Sequence, residues 1–209
     1  MTKLPLSFYT DNDVVSIARS LLGKVLCSNI NNSVTAGIIT ETEAYNGVSD
    51  KASHAYGGRR TKRTEVMYKS GGISYVFLCY GVHNLLNVVT AKADIPHAVL
   101  IRGMYPLIGI KHMLARTGKI KADYSLTNGP GKITKALGVN VTHNNISYQG
   151  DELWIEDREI DVNNEDIISS PRIGVDYAGE DASLPYRFVL TKNSIIRFYQ
   201  NFQSLRNKR

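Results

Sequence analysis

"IITETEAYNGVSDKASHAYGGRRTKRT", residues 38–64, opens on an apolar pair and then sets Glu41, Glu43 and Tyr45 at every second position. Successive side chains of a strand alternate between its faces, so a strand here sends both glutamates and the tyrosine to one side. Two carboxylates on one strand face are either solvated or partnered, because burying an unpaired charge is expensive. A ring in phase with them adds a second reading, a base-binding pocket, and one glutamate can instead be structural and pair with an arginine. The stretch continues with Asp50, His54, the pair Gly57-Gly58, and then Arg59, Arg60, Lys62 and Arg63 within five positions. Paired glycines let the backbone turn tightly, and the four cations can neutralise phosphates or simply form a solvated loop. The run matches neither G-x-x-x-x-G-K-[ST] nor G-x-G-x-x-G, so it does not indicate a nucleotide-cofactor loop.

Outward from this stretch the chain reads as strands with scattered helices. "TDNDVVSIARSLLGK" (10–24) has a helical apolar period, with Thr10 or Asp11 at its start and Gly23 as its stop. "KVLCSNI" and "VTAGIITETEAY" are strands around the turn signal Asn31-Asn32-Ser33. "ISYVFLCY" and "NLLNVVTA" form a hairpin whose tip carries Tyr80 and His83. Period two puts Tyr75, Phe77 and Cys79 on one face of its first strand. "HAVLIRGMYP" is a strand ending at Pro106, and 107–116 is a helix. "TNGPGKITKALGV" is a turn and a short helix ending near Gly138, while "DELWIED", "SPRIGVDYAG" and "YRFVLT" complete a β-rich second half. The tail 200–209 is polar, basic and expected to fray. The order is not a regular β-α-β alternation. It predicts one α+β domain over residues 1–209, with a largely antiparallel curved sheet and flanking helices.

The chain of 209 residues is long enough to bury a core, and 43% hydrophobic with 21% charged residues is ordinary for a globular protein. A formal net charge of +6 favours an anionic partner, nucleic acid first. Cys27 and Cys79 lie in apolar runs without C-x-x-C spacing, which predicts two buried thiols in a reducing compartment. The five histidines form no H-E-x-x-H or H-x-H pattern, so no metal is expected. The start lacks a secretory signal, and no apolar run approaches the roughly 18 residues of a membrane span. An intracellular protein is the expectation.

Taken together, "ETEAY", "SHAYGGRRTKRT", "SYVFLCYGVHNLLN", "VLIRGMYPLIGI", "TNGPGKITKALGV" and "SPRIGVDYAG" followed by "PYRF" resemble the alkyladenine (3-methyladenine, N-methylpurine) DNA glycosylase family. The motifs run in order through residues 5–199, nearly the whole chain. The resemblance implies an enzyme that removes alkylated or deaminated purines from double-stranded DNA by hydrolysing the N-glycosidic bond. It also implies a compact monomer without metal or organic cofactor, a hairpin inserted in the minor groove, and a nuclear or bacterial cytoplasmic location. No lysine nucleophile is implied, so the expected activity is monofunctional.

By the same resemblance Glu43, the glutamate of "EAY", is the general base, and Arg102 of "LIRG" lies beside the attacking water. Tyr45, His54, Phe77 and Asn87 are implied as the base pocket, Tyr80 as the wedge left in the gap, and Arg59, Arg60, Lys62 and Arg63 as backbone contacts. Phe77 departs from the family's best-described members, which carry tyrosine there: the stacking area is kept and the hydroxyl's hydrogen bond is lost, which bears on the preference among damaged bases. Two other readings compete: a non-catalytic nucleic-acid-binding module built on Tyr75, Phe77 and the arginines, and a metal-dependent hydrolase using Glu41, Glu43, Asp50 and His54.

Overall fold

The computed structural model describes residues 2–197 and 200. The expected frayed tail lies outside the described residues apart from Gln200. In chain order the elements are β1 (Thr2–Lys3), α1 (Leu6–Tyr9), α2 (Val14–Ser20), β2 (Val25–Ile30), β3 (Ser33–Tyr45), β4 (Ile73–Cys79), β5 (His83–Thr90) and β6 (His97–Ile108). After them come α3 (Ile110–Thr117), α4 (Pro130–Leu137), β7 (Leu153–Asp157), β8 (Ile167–Ser170) and β9 (Arg187–Leu190), with short 3-10 turns between.

The strands form one curled antiparallel sheet in the order β1-β7-β2-β3-β6-β5-β4. The thirteen-residue β3 is its spine. One edge of β3 pairs with β6; the other pairs first with β2 and then, at Glu41 to Glu43, with β9. Asn31 and Asn32 both have φ near +54°, as the tight β2–β3 turn requires. Helices α2, α3 and α4 pack on the sheet. Thr42 donates its hydroxyl hydrogen to the Ala18 carbonyl at 2.8 Å, which fixes α2 to the face of β3 opposite the glutamates. The main core, including Leu26, Ile39, Leu86, Ile101 and Leu137, fills this layer.

Several expectations are corrected. Helix α2 is capped by Asp13, whose carboxylate accepts from the Val15 and Ser16 N–H groups, rather than by Thr10 or Asp11. Strand β6 runs through Pro106 to Ile108, and the helix begins only after Gly109 at φ +71°. The proline is tolerated because it opposes Gly37, where the β3–β6 ladder slips and one missing N–H breaks no regular pairing. "SPRIGVDYAG" is not a strand beyond Ser170. Pro171 cannot donate to a ladder, Gly174 has φ +75°, and the chain instead enters a 3-10 segment at Asp176–Ser183. Of the cysteines, Cys27 is buried, but Cys79 is half-buried near the hairpin tip.

One buried ion pair fastens the loops beside the end of β3. Arg172 Nη1 and Nη2 meet the two oxygens of Asp50 at 2.5 and 2.9 Å, with both residues almost wholly enclosed. Arg172 also donates to the Ala44 carbonyl, and Asp50 accepts from the Asn46 and Ala52 N–H groups. Removing the cation leaves a carboxylate buried without its partner. Arg172→Met is expected to cost about 3–5 kcal/mol in denaturant unfolding, and adding Asp50→Leu should recover much of it. A loss below about 1 kcal/mol would show that the pair fastens nothing.

Candidate active site

A cavity of about 680 Å³ opens between the β4–β5 hairpin, the inner face of β3 and β6, the start of α4 and the loop after Pro171. Tyr45, His54, Phe77, Asn87 and Arg102 all line it. Period two along β3 does put Glu41, Glu43 and Tyr45 on one face, and the structure shows what each glutamate meets.

Glu43 is fully buried behind the cavity wall. Its Oε1 accepts the Ile173 N–H at 2.8 Å and its Oε2 accepts the Tyr45 hydroxyl at 2.9 Å. Arg102 stands farther off, with Nε 3.4 Å from Oε1 and Nη1 3.5 Å from Oε2. Burial drives the carboxyl above its ordinary value, and Arg102, the Ile173 N–H and the Tyr45 hydroxyl only partly oppose it. Burial, followed by the Glu43 charge, also pushes the Tyr45 phenol well up, so it stays protonated and donating. The three partners of Glu43 line the cavity, so the carboxylate is reached only past them.

Glu41 is the structural glutamate of the pair. Its Oε1 accepts from Arg187 Nε at 2.6 Å and from Arg102 Nε at 3.1 Å. Arg102 owes its aim to a bulge. The register passes from Glu41↔Gly103 to Thr42↔Ile101, which leaves Arg102 unpaired in the ladder and turned to the two carboxylates.

The opposite wall is aromatic. His54 Nδ1 lies 2.8 Å from the Tyr75 hydroxyl, and its ring meets Phe77 edge-on at 4.7 Å. Burial first, then Arg63 and Arg59, pushes the imidazole down to about 4, so His54 is neutral at neutral pH. Asn87, enclosed on β5, donates to the Tyr75 carbonyl at 3.0 Å. Tyr80 is 92% exposed at the hairpin tip. With Gly81 it takes the positive φ of a tight turn closed by the Val82 N–H on the Cys79 carbonyl.

The basic run is divided. Arg60 bonds both oxygens of Glu65, reaches Asp94 at 2.9 Å and stacks on Tyr68. Arg63 turns inward and lays its guanidinium 4.7 Å over the Phe77 ring. Arg59 and Lys62 remain on the surface. The candidate metal set is not assembled: Asp50 is locked to Arg172, and His54 faces Tyr75. Among the described residues no group of three or more His, Cys, Asp or Glu side chains could hold a metal ion. Sequence reasoning missed the Ile173 N–H, Arg187 and the exposed, cavity-lining Tyr177. The Pro171 and Gly174 breaks around Ile173 were the one available signal of a loop there.

Over 188 residues, covering 90% of this chain and 97% of the relative, the sequence is 46% identical to the "Putative 3-methyladenine DNA glycosylase" of Chlamydia abortus. The protein of the same name from Bacillus cytotoxicus is 43% identical over 202 residues, which is 93% of this chain and 98% of that one. The class is therefore that of DNA glycosylases, hydrolases of N-glycosyl bonds. Residues 7–194 match the family described as Methylpurine-DNA glycosylase (MPG), and the chain belongs to that family.

The division of the basic run sets a test. Each phosphate contact contributes about 0.9 to the slope of log affinity against log salt. Replacing Arg59 and Lys62 together by alanine should flatten that slope by about 1–2. Arg60→Ala should leave it nearly unchanged, because two carboxylates already neutralise Arg60. Equal flattening by both variants would show that Arg60 leaves its acids for DNA.

Proposed function

We propose that this glycosylase excises 3-methyladenine and other alkylated or deaminated purines from duplex DNA, as the first step of base excision repair, with Glu43 as general base. The observation that carries the reading is the Glu43 carboxylate, buried with a raised pKa directly behind an aromatic cavity. A purine inside the stack cannot reach such a site, so the nucleotide rotates out, and Tyr80 fills the gap it leaves. The base then lies among Tyr45, His54 and Phe77, with Asn87 against its edge. Water enters on the Arg102 side of Glu43, where that carboxylate's contacts are longest. As the water oxygen bonds C1′, its proton passes to Glu43, and the C1′–N bond breaks with its electron pair leaving on the purine. The carboxylate also offsets the positive charge that grows on the sugar. A purine alkylated at a ring nitrogen such as N3 already carries positive charge, departs neutral and needs little acid; hypoxanthine starts neutral and departs as its anion, which takes a proton from solvent.

The chain acts as a monomer and a single domain, without metal or cofactor, on DNA inside the cell; no described helix is long and apolar enough to cross a membrane. A non-catalytic binding module would account for the aromatic wall and the cations. It gives no reason to bury an anion beside a polyanionic ligand.

Glu43→Gln keeps an acceptor for the Ile173 N–H but cannot take a proton. Single-turnover excision from a duplex with one 3-methyladenine or hypoxanthine should fall by at least about 10²–10⁴-fold, with lesion binding held or tightened. Glu41→Gln should cost far less excision and show mainly as a lower melting point. Near-normal excision by a folded Glu43→Gln would sink the mechanism.

The pH profile is a second check. Only the deprotonated carboxylate accepts a proton, and burial raises its pKa above the ordinary 4.5. Excision at saturating enzyme should therefore fall, as pH is lowered, through a midpoint above 4.5. A rate that holds flat down to that value would contradict a buried base.

A further inference from the structure

The mouth of the cavity has a second exposed ring that the mechanism does not use. Tyr177 is 70% exposed and lines the cavity from the side of the Pro171 loop, as Tyr80 does from the hairpin tip. Both rings thus border the one cavity. Leu78 and Ile173 are also exposed here, and Val82 is exposed at the hairpin tip next to them, so apolar side chains stand on both sides of the entrance. A soluble protein leaves such a rim open where something docks on it. The Tyr177 hydroxyl donates to the Ala52 carbonyl at 3.2 Å. With its polar atom occupied, the side chain offers its ring to a partner.

The backbone leading to Tyr177 is also fixed. Four residues earlier the Ile173 N–H holds Glu43, and the residue before that, Arg172, is clamped on Asp50. One short segment thus carries a donor to the proposed base at one end and an exposed ring at the other.

Resting on the glycosylase reading above, we propose that Tyr177 is a second aromatic contact for duplex DNA. It brackets, with Tyr80, the point where the nucleotide leaves the stack. The occupant is DNA because the rim borders the cavity that must receive a base, and apolar and aromatic wedges are how proteins hold an opened duplex step. Tyr177 is a positioning residue: it touches the flanking DNA, not the reacting atoms.

The test compares wild type, Tyr177→Ala and Tyr177→Phe on a duplex carrying one hypoxanthine beside 2-aminopurine, whose fluorescence reports unstacking. Tyr177→Ala should weaken lesion binding about tenfold and reduce the fluorescence rise. The slope of binding against salt should stay unchanged, because no charge is lost, and the melting point should fall only by the small contribution of the Ala52 hydrogen bond, which both variants lose. Tyr177→Phe, which keeps the ring, should restore both binding and fluorescence. Wild-type binding and fluorescence in Tyr177→Ala would overturn the proposal, as would equal losses in Ala and Phe, which would assign the effect to the hydroxyl tether. Excision by the wild-type protein is read in the same assay. Its absence would remove the glycosylase reading itself, whereas normal excision with an unaffected Tyr177→Ala removes only the role of Tyr177.

Discussion

The Glu43 carboxylate, held away from solvent on the inner face of β3, sets the terms for the structure around it. An isolated buried anion is too costly to keep, so the fold must bring partners to it. They come from three places: Tyr45 from the same strand, Arg102 from β6 and the Ile173 N–H from a loop 130 residues away. Each requires its own device. Tyr45 needs only the period of a strand. Arg102 needs the bulge that leaves it out of the ladder. Ile173 needs a loop rigid enough to aim a single N–H, and the Arg172–Asp50 pair beside it supplies that rigidity.

The partners stabilise the charge incompletely, which is the chemically useful outcome. A carboxylate with two ideal arginine contacts would be a poor proton acceptor, its pKa driven far down. Glu41 has a different part, accepting from both Arg187 and Arg102. By drawing Arg102 to 3.1 Å, Glu41 also keeps it farther from Glu43, where burial is still the larger influence. Two glutamates two residues apart on one face therefore have different surroundings: one orients the arginine, and the other stays buried with a raised pKa, as the proposed base requires.

What was legible in the sequence was local. The alternation of Glu41, Glu43 and Tyr45, the hairpin carrying Tyr80, and the aromatic face of Tyr75 and Phe77 all follow from a period of two and from turn chemistry. The rest depends on distant pairings that leave no local mark. Arg60 looks like a phosphate ligand until Asp94, 34 positions on, is found against it. Pro106 looks like a strand end until Gly37 is found opposite, at a slip in the ladder. The Ile173 N–H could not be read at all, since a backbone donor has no side-chain signature.

Charge in the site bears on which bases it can hold. Arg59 and Lys62 are exposed outside the cavity lining, rings and a neutral imidazole line the cavity together with Arg63, Arg102 and Lys132, and the Glu43 carboxyl lies behind them. On the proposed reading, a cationic purine passing inward would meet π faces and a carboxylate, both of which favour it, with Arg102 beside that carboxylate as the opposing charge. Arg63 complicates that entry, because it lays a guanidinium on the Phe77 ring at the cavity wall. A tyrosine at Phe77 would add a hydroxyl there; phenylalanine offers Arg63 its ring face alone. On the proposed reading an incoming base would compete with Arg63 for that surface, so the identity of residue 77 would govern how readily the cation yields its place.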